Sequence, residues 1–446
     1  MNARPSARGA AFTLREYDTL CRGAGVNAYG YVGLPEKTFD QLEKFILETP
    51  TAGDPLDDPS MLLALGSRPG AGRTITARNY VGMIALPDGS VVEILPKLYD
   101  RRAENPEQSA ERARRTFLHM LRTIGDIPSK VSRQTGLGTS RGTLLDIFIR
   151  MFAEEALLLV KRGLKSDYRE HEDNERFYKG KLQVSAHIRH NAVHRERFYI
   201  RYDEFGIDRP ENRLIKTTLE RLIRLTGSSR IQKELRMLLD AFDTVPSCAD
   251  PAREWDKVSM DRNMQEYRTV LDWCRIFLDS RSFTPLGGAD RAYALLFPME
   301  RIFERYVALL LKRRFAESSV QVSTQDTAHK LFEEPARFPL RPDIVLRGTP
   351  SGTIVMDTKW KMLSRRYGRD YGISQSDMYQ MYAYGKKYGA KKVVLLYPRA
   401  NSEDSFKTPV EYDSGDGVKV EVMLLDLELG EQCVDEAIHS ILLAES

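Results

Sequence analysis

Arg341-Pro342-Asp343-Ile344-Val345-Leu346, then Ile354-Val355-Met356-Asp357-Thr358-Lys359-Trp360-Lys361, then Asp377-Met378-Tyr379-Gln380-Met381-Tyr382-Ala383-Tyr384: these three runs decide how the chain is read. The first two are short apolar strands. Strand side chains alternate faces, so Asp357 and Lys359, two apart, project the same way. Asp343 opens the strand before them. Two carboxylates beside an amine are what hydrolysis of a phosphodiester with Mg²⁺ requires, because hard cations take oxygen ligands and keep several waters. The third run has helical spacing, and Asp377, Gln380 and Tyr384, three and four apart, share one face.

Pro-Asp followed, after a short hairpin, by Asp-x-Lys resembles the PD-(D/E)xK nuclease pattern. The Gln380 to Tyr384 spacing resembles the Q-x-x-x-Y addition of RecB-like members. The resemblance implies that Asp343 and Asp357 hold Mg²⁺ and that Lys359 orients or helps deprotonate the attacking water. It also implies that Gln380 and Tyr384 brace the metal ligands or the strand backbone. Such enzymes often carry a glutamate on the helix before the first core strand, and Phe303-Glu304-Arg305-Tyr306-Val307 resembles that position. Glu304 is therefore either a third metal-site acid or a solvated charge paired with Arg301 or Arg305.

Outward from this stretch, Pro298 opens a helix with Met299, Ile302, Phe303, Tyr306, Val307 and Leu310 on its buried side. The order then runs strand near Val320, the two acid-bearing strands, helix over 376–387, strand over 392–396 and strand over 418–425, a layered α/β arrangement. Between the second strand and the helix, residues 360–372 carry Lys361, Arg365, Arg366 and Arg369 among Tyr367 and Tyr371. That loop either contacts DNA phosphates or is simply solvated.

With 446 residues, the chain is long enough for roughly three domains of about 150 residues. Its 42% apolar and 29% charged residues are those of a globular protein without general disorder. A net charge of +4 leaves nucleic-acid binding to local basic patches. The four cysteines, Cys21, Cys248, Cys274 and Cys433, lack zinc-ligand spacing, which fits a reducing, cytoplasmic setting. The basic tail at residues 1–9 has no apolar run behind it, so no signal peptide is expected, and no stretch reaches the length of a membrane span.

Nearer the N-terminus, residues 12–34 read as short extended pieces. Pro35 opens a helix with Phe39, Leu42, Phe45 and Ile46 as its stripe. Residues 50–60 and 67–72 read as loops. Thr74 to Ala85 and Ser90 to Leu95 read as two strands joined by Leu86-Pro87-Asp88-Gly89. Residues 108–225 read as mostly helical, with one stripe at Phe117, Leu118, Leu121 and Ile124 and another at Leu144, Ile147, Phe148, Met151, Phe152 and Ala156. His187, His190 and His194 could line a metal-binding helix face, but they lie among arginines with no orienting carboxylate, as in a solvated basic segment. More helix follows over 226–280, and residues 282–290 read as a linker.

Two blocks here resemble McrC proteins, nuclease subunits of modification-dependent restriction systems. One is Asn79-Tyr80-Val81-Gly82 with Val92-Glu93-Ile94-Leu95-Pro96-Lys97. The other is the succession Arg162-Gly163-Leu164, Tyr168, Gly180-Lys181-Leu182, Tyr202-Asp203-Glu204 and Asn212. The expected architecture is multidomain α+β: an N-terminal β-rich, mixed α/β domain at 1–105 that binds a partner, a mostly helical middle domain at 106–285, and a C-terminal α/β PD-(D/E)xK nuclease domain at 286–446. No G-x-x-x-x-G-K-[ST] motif is present. The resemblance implies an AAA+ GTPase of McrB type that binds the GTP and reads modified double-stranded DNA. Two other readings stand beside this one: a non-cleaving activator of an AAA+ motor, and a free-standing RecB-like repair nuclease.

Overall fold

The apolar strand Gly352–Thr358 pairs on one side with Ile344–Thr349, antiparallel, and on the other with Lys392–Pro398, parallel. They are the middle of a six-stranded sheet, ordered Gln321–Thr324, Ile344–Thr349, Gly352–Thr358, Lys392–Pro398, Lys419–Leu425, Val410–Asp413. The computed structural model describes residues 10–23, 25–27, 29–48, 62–100, 103–128, 142–259, 264–278, 292–399, 406 and 408–443. The tail at 1–9, the loop at 50–60 and the linker at 282–290 lie outside the described residues. The chain divides into two compact units, one holding Gly142–Gly287 and the other Ala10–Ile127 with Gly288–Ser446.

In the larger unit, alternation sorts the six-stranded sheet's side chains between two layers. Val345, Val355, Val393 and Leu395 face the core shared with Met381, Tyr384 and Tyr388 of the helix Gln375–Tyr388. Each such buried side chain contributes about 1.5–3 kcal/mol. Because Asp357 has the parity of Val355, it too faces this helix. The helix Met299–Arg314 packs against the strand Gly352–Thr358 and buries Ile302, Phe303, Tyr306, Val307 and Leu310, as its periodicity predicts.

The N-terminal part of this unit has two sheets. Five strands run in the order Gly25–Val26, Val32–Leu34, Thr19–Arg22, Gly72–Ala77, Leu63–Arg68. The helix Glu36–Glu48 buries Phe39, Leu42, Phe45 and Ile46. The other sheet runs Ala11–Arg15, Val91–Leu95, Tyr80–Ala85, Tyr293–Pro298. Two expectations are corrected here. The single strand read over Thr74 to Ala85 is two strands in different sheets, since the chain turns at Arg78-Asn79 to leave one ladder and join the other. The loop read over 67–72 is strand as far as Arg68, closed by a turn. The turn after Ala85 forms as expected, with Gly89 at φ 83° and its N–H donating to the Leu86 carbonyl at 2.9 Å. Gly82 has φ +145°, and a Cβ there would stand 1.9 Å from the Leu295 carbonyl oxygen, so only glycine lets these strands pair. The helix Pro106–Ile124 is capped by Asn105, whose side chain accepts from the Gln108 N–H, and sets Phe117 edge-on to Phe297.

In the smaller unit, the helices Leu144–Arg162, Pro210–Leu225, Ser229–Leu239 and Gln265–Leu278 enclose Phe148, Phe152, Trp273 and Phe277. The mostly helical reading of 108–225 fails over much of 167–206, where Lys181–Leu182, Phe198–Gly206 and Asp167–Glu175 form an antiparallel sheet in that order around the helix Val184–His190. Ionic and ring contacts across the ladder hold it: Arg201 beside Glu170 and Glu172, His171 stacked on Tyr202, and the Lys179 ammonium 3.6 Å from the Tyr202 ring centroid. Asn212 clasps its base. The Asn212 amide donates to the carbonyls of Lys165, just before the first strand, and Ile207, just after the last, while its oxygen accepts from the Tyr267 hydroxyl. His187 bonds Asn191 and stacks on Phe198, His190 stacks on Tyr199, and His194 contacts Glu196, so the three histidines have separate structural partners.

Candidate nuclease centre

Register brings the acids together. Ile344 lies opposite Met356, so one step further Asp343 stands opposite Asp357 at the mouth of the hairpin. Opposed residues of an antiparallel pair hold their side chains on the same face. Asp343 is fixed from both sides: its Oδ2 accepts from the Thr358 N–H at 2.8 Å and the Thr358 hydroxyl at 2.7 Å, and its Oδ1 from the Gln325 amide at 3.2 Å. The same Gln325 amide donates to Glu304 Oε1 at 2.5 Å, which ties the helix glutamate to Asp343.

Asp357 is 2% exposed, and its Oδ2 lies 2.5 Å from the Lys359 Nζ. Lys359 also donates to Gln380 Oε1 at 3.2 Å, and Gln380 Nε2 donates to the Tyr384 hydroxyl at 2.8 Å. The structure therefore assembles Asp343, Asp357, Lys359, Gln380 and Tyr384 as a connected set, with Glu304 joined through Gln325. Gln380 contacts the Lys359 ammonium, and Tyr384 contacts Gln380 and the backbone of Arg341, next to the Pro342-Asp343 pair. Among the described residues, no group of three or more His, Cys, Asp or Glu side chains is arranged to hold a metal ion by itself.

The electrostatics of the set are strained in one direction. Burial, and then Asp343, push the Asp357 carboxyl up to about 7, with Lys359 pulling against them. Glu304 is raised by burial and then by Asp343. Burial works against the Lys359 ammonium, but Asp357, Asp377 and Asp343 outweigh it and hold it above its ordinary value. Burial and the Asp357 charge push the Tyr384 phenol up to about 12, so it remains a neutral hydrogen-bonding group. Beside the set, Leu363 and Tyr371 anchor the loop over 360–372 in the core, while Lys361, Arg365, Arg366 and Arg369 are exposed.

Sequence reasoning missed Gln325 and Thr358. Gln325 has a positive φ of 50° in the turn after Gln321–Thr324, and nothing in its neighbourhood marks it. Thr358 was legible in part: it stands between Asp357 and Lys359, and its hydroxyl is the group that holds Asp343.

Known proteins share this chain's fold and family. The enzyme described as Type IV methyl-directed restriction enzyme EcoKMcrBC, from Escherichia coli (strain K12), is 21% identical over 280 residues, covering 58% of this chain and 78% of that protein. A structure of Thermococcus gammatolerans McrB AAA+ hexamers with bound McrC, from a tetradecameric assembly, contains a chain similar to this one with a TM-score of 0.69. That match has 19% identity and covers 97% of this chain and 100% of the other, so the fold is shared along nearly the whole length. The family of the McrBC 5-methylcytosine restriction system component matches residues 75–398, well over half of the sequence, and the chain belongs to that family.

Proposed function

We propose that this chain is the endonuclease subunit of an McrBC-like restriction complex, a PD-(D/E)xK hydrolase that cuts modified double-stranded DNA with Mg²⁺ and stimulates an McrB-type AAA+ GTPase. One observation carries the nuclease reading: Asp343, Asp357 and Lys359 converge at a strand mouth where burial and a second acid push the Asp357 carboxyl up to about 7. Two crowded carboxylates fit a hard divalent cation, which takes one or two carboxylates and fills its shell with water and substrate phosphate. Asp343 and Asp357 would hold it, with Glu304 supporting Asp343 through Gln325. When bound, Mg²⁺ supplies Lewis acidity toward the scissile phosphate and a more acidic water.

The chain's own groups do the rest. Thr358 keeps Asp343 aimed into the site. Lys359, whose ammonium its acidic neighbours favour, acts as a cation that orients the attacking water and offsets charge developing on the phosphoryl oxygens. Gln380 and Tyr384 orient the Lys359 ammonium. The exposed cations of residues 361–369 fit phosphate contacts that place the duplex without reading its sequence.

The Thermococcus gammatolerans relative is bound to McrB AAA+ hexamers, which supports a partner of that kind for this chain, in a cytoplasmic complex. The segment over 167–206, with its three-stranded sheet, is a further docking surface beside the region over 1–105, where Tyr17, Tyr29 and Leu47 are also exposed. Tyr168 is 70% exposed and Phe177 82%, and Tyr178, Ile188, Val193 and Phe205 are exposed beside them. Apolar groups left in water at this density mark interaction sites. The test is to mix the full chain with an McrB-type GTPase, GTP and Mg²⁺ and follow both GTP hydrolysis and cutting of methylated and unmethylated DNA. Faster GTP turnover with cutting of methylated DNA supports the proposal; unchanged turnover and intact DNA overturn it.

A further inference from the structure

The strand Gly352–Thr358, which carries Asp357, leads straight into Lys359 and Trp360, and Trp360 is held by residues from the other end of the chain. The Trp360 indole N–H donates to both carboxylate oxygens of Glu16, at 2.9 and 3.1 Å. Glu16 is 1% exposed, follows the strand Ala11–Arg15, and also accepts from the Lys97 N–H at 2.8 Å. The Lys97 ammonium in turn donates to the Trp360 carbonyl at 2.6 Å. Trp360 is thus gripped at its ring and at its backbone.

The backbone beside this grip is that of Lys359. The Lys359 N–H donates to the Leu396 carbonyl at 2.9 Å, and its carbonyl accepts from the Lys361 N–H at 2.9 Å, so the chain turns sharply at Trp360. The Trp360 ring also packs on Phe303, 5.4 Å between centroids, the residue before Glu304. Two groups of the nuclease centre, Lys359 and Glu304, therefore border one clamp built from the ends of the N-terminal strands Ala11–Arg15 and Val91–Leu95. This gives a physical reason for the block ending Leu95-Pro96-Lys97: it delivers a cation to the exit of the catalytic strand.

We infer that Glu16, Lys97 and Trp360 are positioning residues for Lys359, so that the N-terminal sheet is a structural part of the nuclease centre. The inference rests on the nuclease reading above. Lys97→Met keeps the aliphatic stem and removes the donor to the Trp360 carbonyl; Trp360→Phe keeps the ring on Phe303 and removes the donor to Glu16. Misplacement of a reacting group by about 1 Å costs on the order of 10²-fold in rate.

The experiment measures single-turnover cleavage, DNA affinity and stimulation of GTP hydrolysis for the full chain with an McrB-type GTPase, with wild type and Asp357→Ala alongside. Both variants are expected to cut roughly 10-fold to 100-fold more slowly, with DNA affinity and GTPase stimulation unchanged. Glu16→Gln, which still offers an acceptor, is expected to cut nearer the wild-type rate than Glu16→Ala. If Lys97→Met and Trp360→Phe cut at the wild-type rate while Asp357→Ala does not cut, the positioning role is wrong and the nuclease reading stands. If cleavage, DNA affinity and GTPase stimulation all fall together, the clamp serves folding alone and the inference is overturned. If wild type does not cut at all, the nuclease reading fails and takes this inference with it.

Discussion

At the mouth of the six-stranded sheet, Asp357 is 2% exposed and charged groups meet one another; beside the three-stranded sheet, in the connection between two of its strands, Phe177 is 82% exposed and apolar rings meet water. Each region departs from the ordinary rule of apolar inside and charged outside, in opposite senses. Burying a carboxylate is costly unless it is paired, and the cost shows in the raised Asp357 pKa. Leaving aromatic rings in water forgoes about 1.5–3 kcal/mol for each large side chain not buried. The first departure suits chemistry on a charged substrate, the second suits a protein partner. A single chain can carry both because the two sit in separate compact units with separate cores.

Substitutions test the proposed division of labour. The largest effect is expected at the acids and the lysine: Asp357→Ala or Lys359→Ala should lower cleavage by about 10³-fold, the scale on which removing one preorganised charged partner acts. GTPase stimulation should be unchanged, as steady-state turnover assays would show. If stimulation fell equally, the two regions would not be functionally separate.

Stability gives the next effect. The folded state holds the Asp357 proton more tightly than the unfolded chain does, so this group's contribution is full below its ordinary value of 3.8 and is lost as pH rises toward about 7. Asp357→Asn cannot ionise, so it should remove that pH-dependent loss, while giving up the ion pair with Lys359, and its stability should vary less with pH than that of wild type. Thermal melts between pH 4 and pH 8 would show the curves of wild type and variant diverging as pH rises. Parallel curves would mean that Asp357 is not under strain.

On the other region, Phe177→Ser combined with Val193→Ser should weaken partner binding by roughly tenfold or more, because exposed apolar anchors dominate interfaces. Folding should be unaffected, since both side chains are already in solvent. Titration of the GTPase against the variant is the check. The smallest effect is expected at Tyr384→Phe, which removes only the hydroxyl that accepts from Gln380. Cleavage should fall by about threefold to tenfold, in line with one neutral hydrogen bond.

How far the sequence reveals these regions follows from the range of the interactions that build them. Asp357 and Lys359 share a face by strand alternation alone, and Gln380 and Tyr384 by helical spacing, so the core of the site is legible locally. The pairing of Asp343 with Asp357 needs a register that only the folded hairpin supplies. Gln325 carries no local signal because its role depends on meeting Glu304 and Asp343 from a separate turn. The three-stranded sheet escapes a pattern reading because most of its side chains are exposed or half-buried, which erases apolar alternation. Gly180 hints at it: a Cβ there would lie 2.2 Å from the Arg201 carbonyl oxygen, so the close approach of these strands requires glycine. The strand Tyr293–Pro298 is equally hidden, since its partner, Tyr80–Ala85, lies far away in the sequence.

The most direct measurement is cleavage of 5-methylcytosine DNA by the full chain with an McrB-type GTPase and GTP, comparing wild type with Asp357→Ala, each with Mg²⁺ and with chelator. Cutting by wild type with Mg²⁺ alone, and by neither protein in chelator, is the predicted result. Cutting by Asp357→Ala at the wild-type rate, or by wild type in chelator, would contradict it.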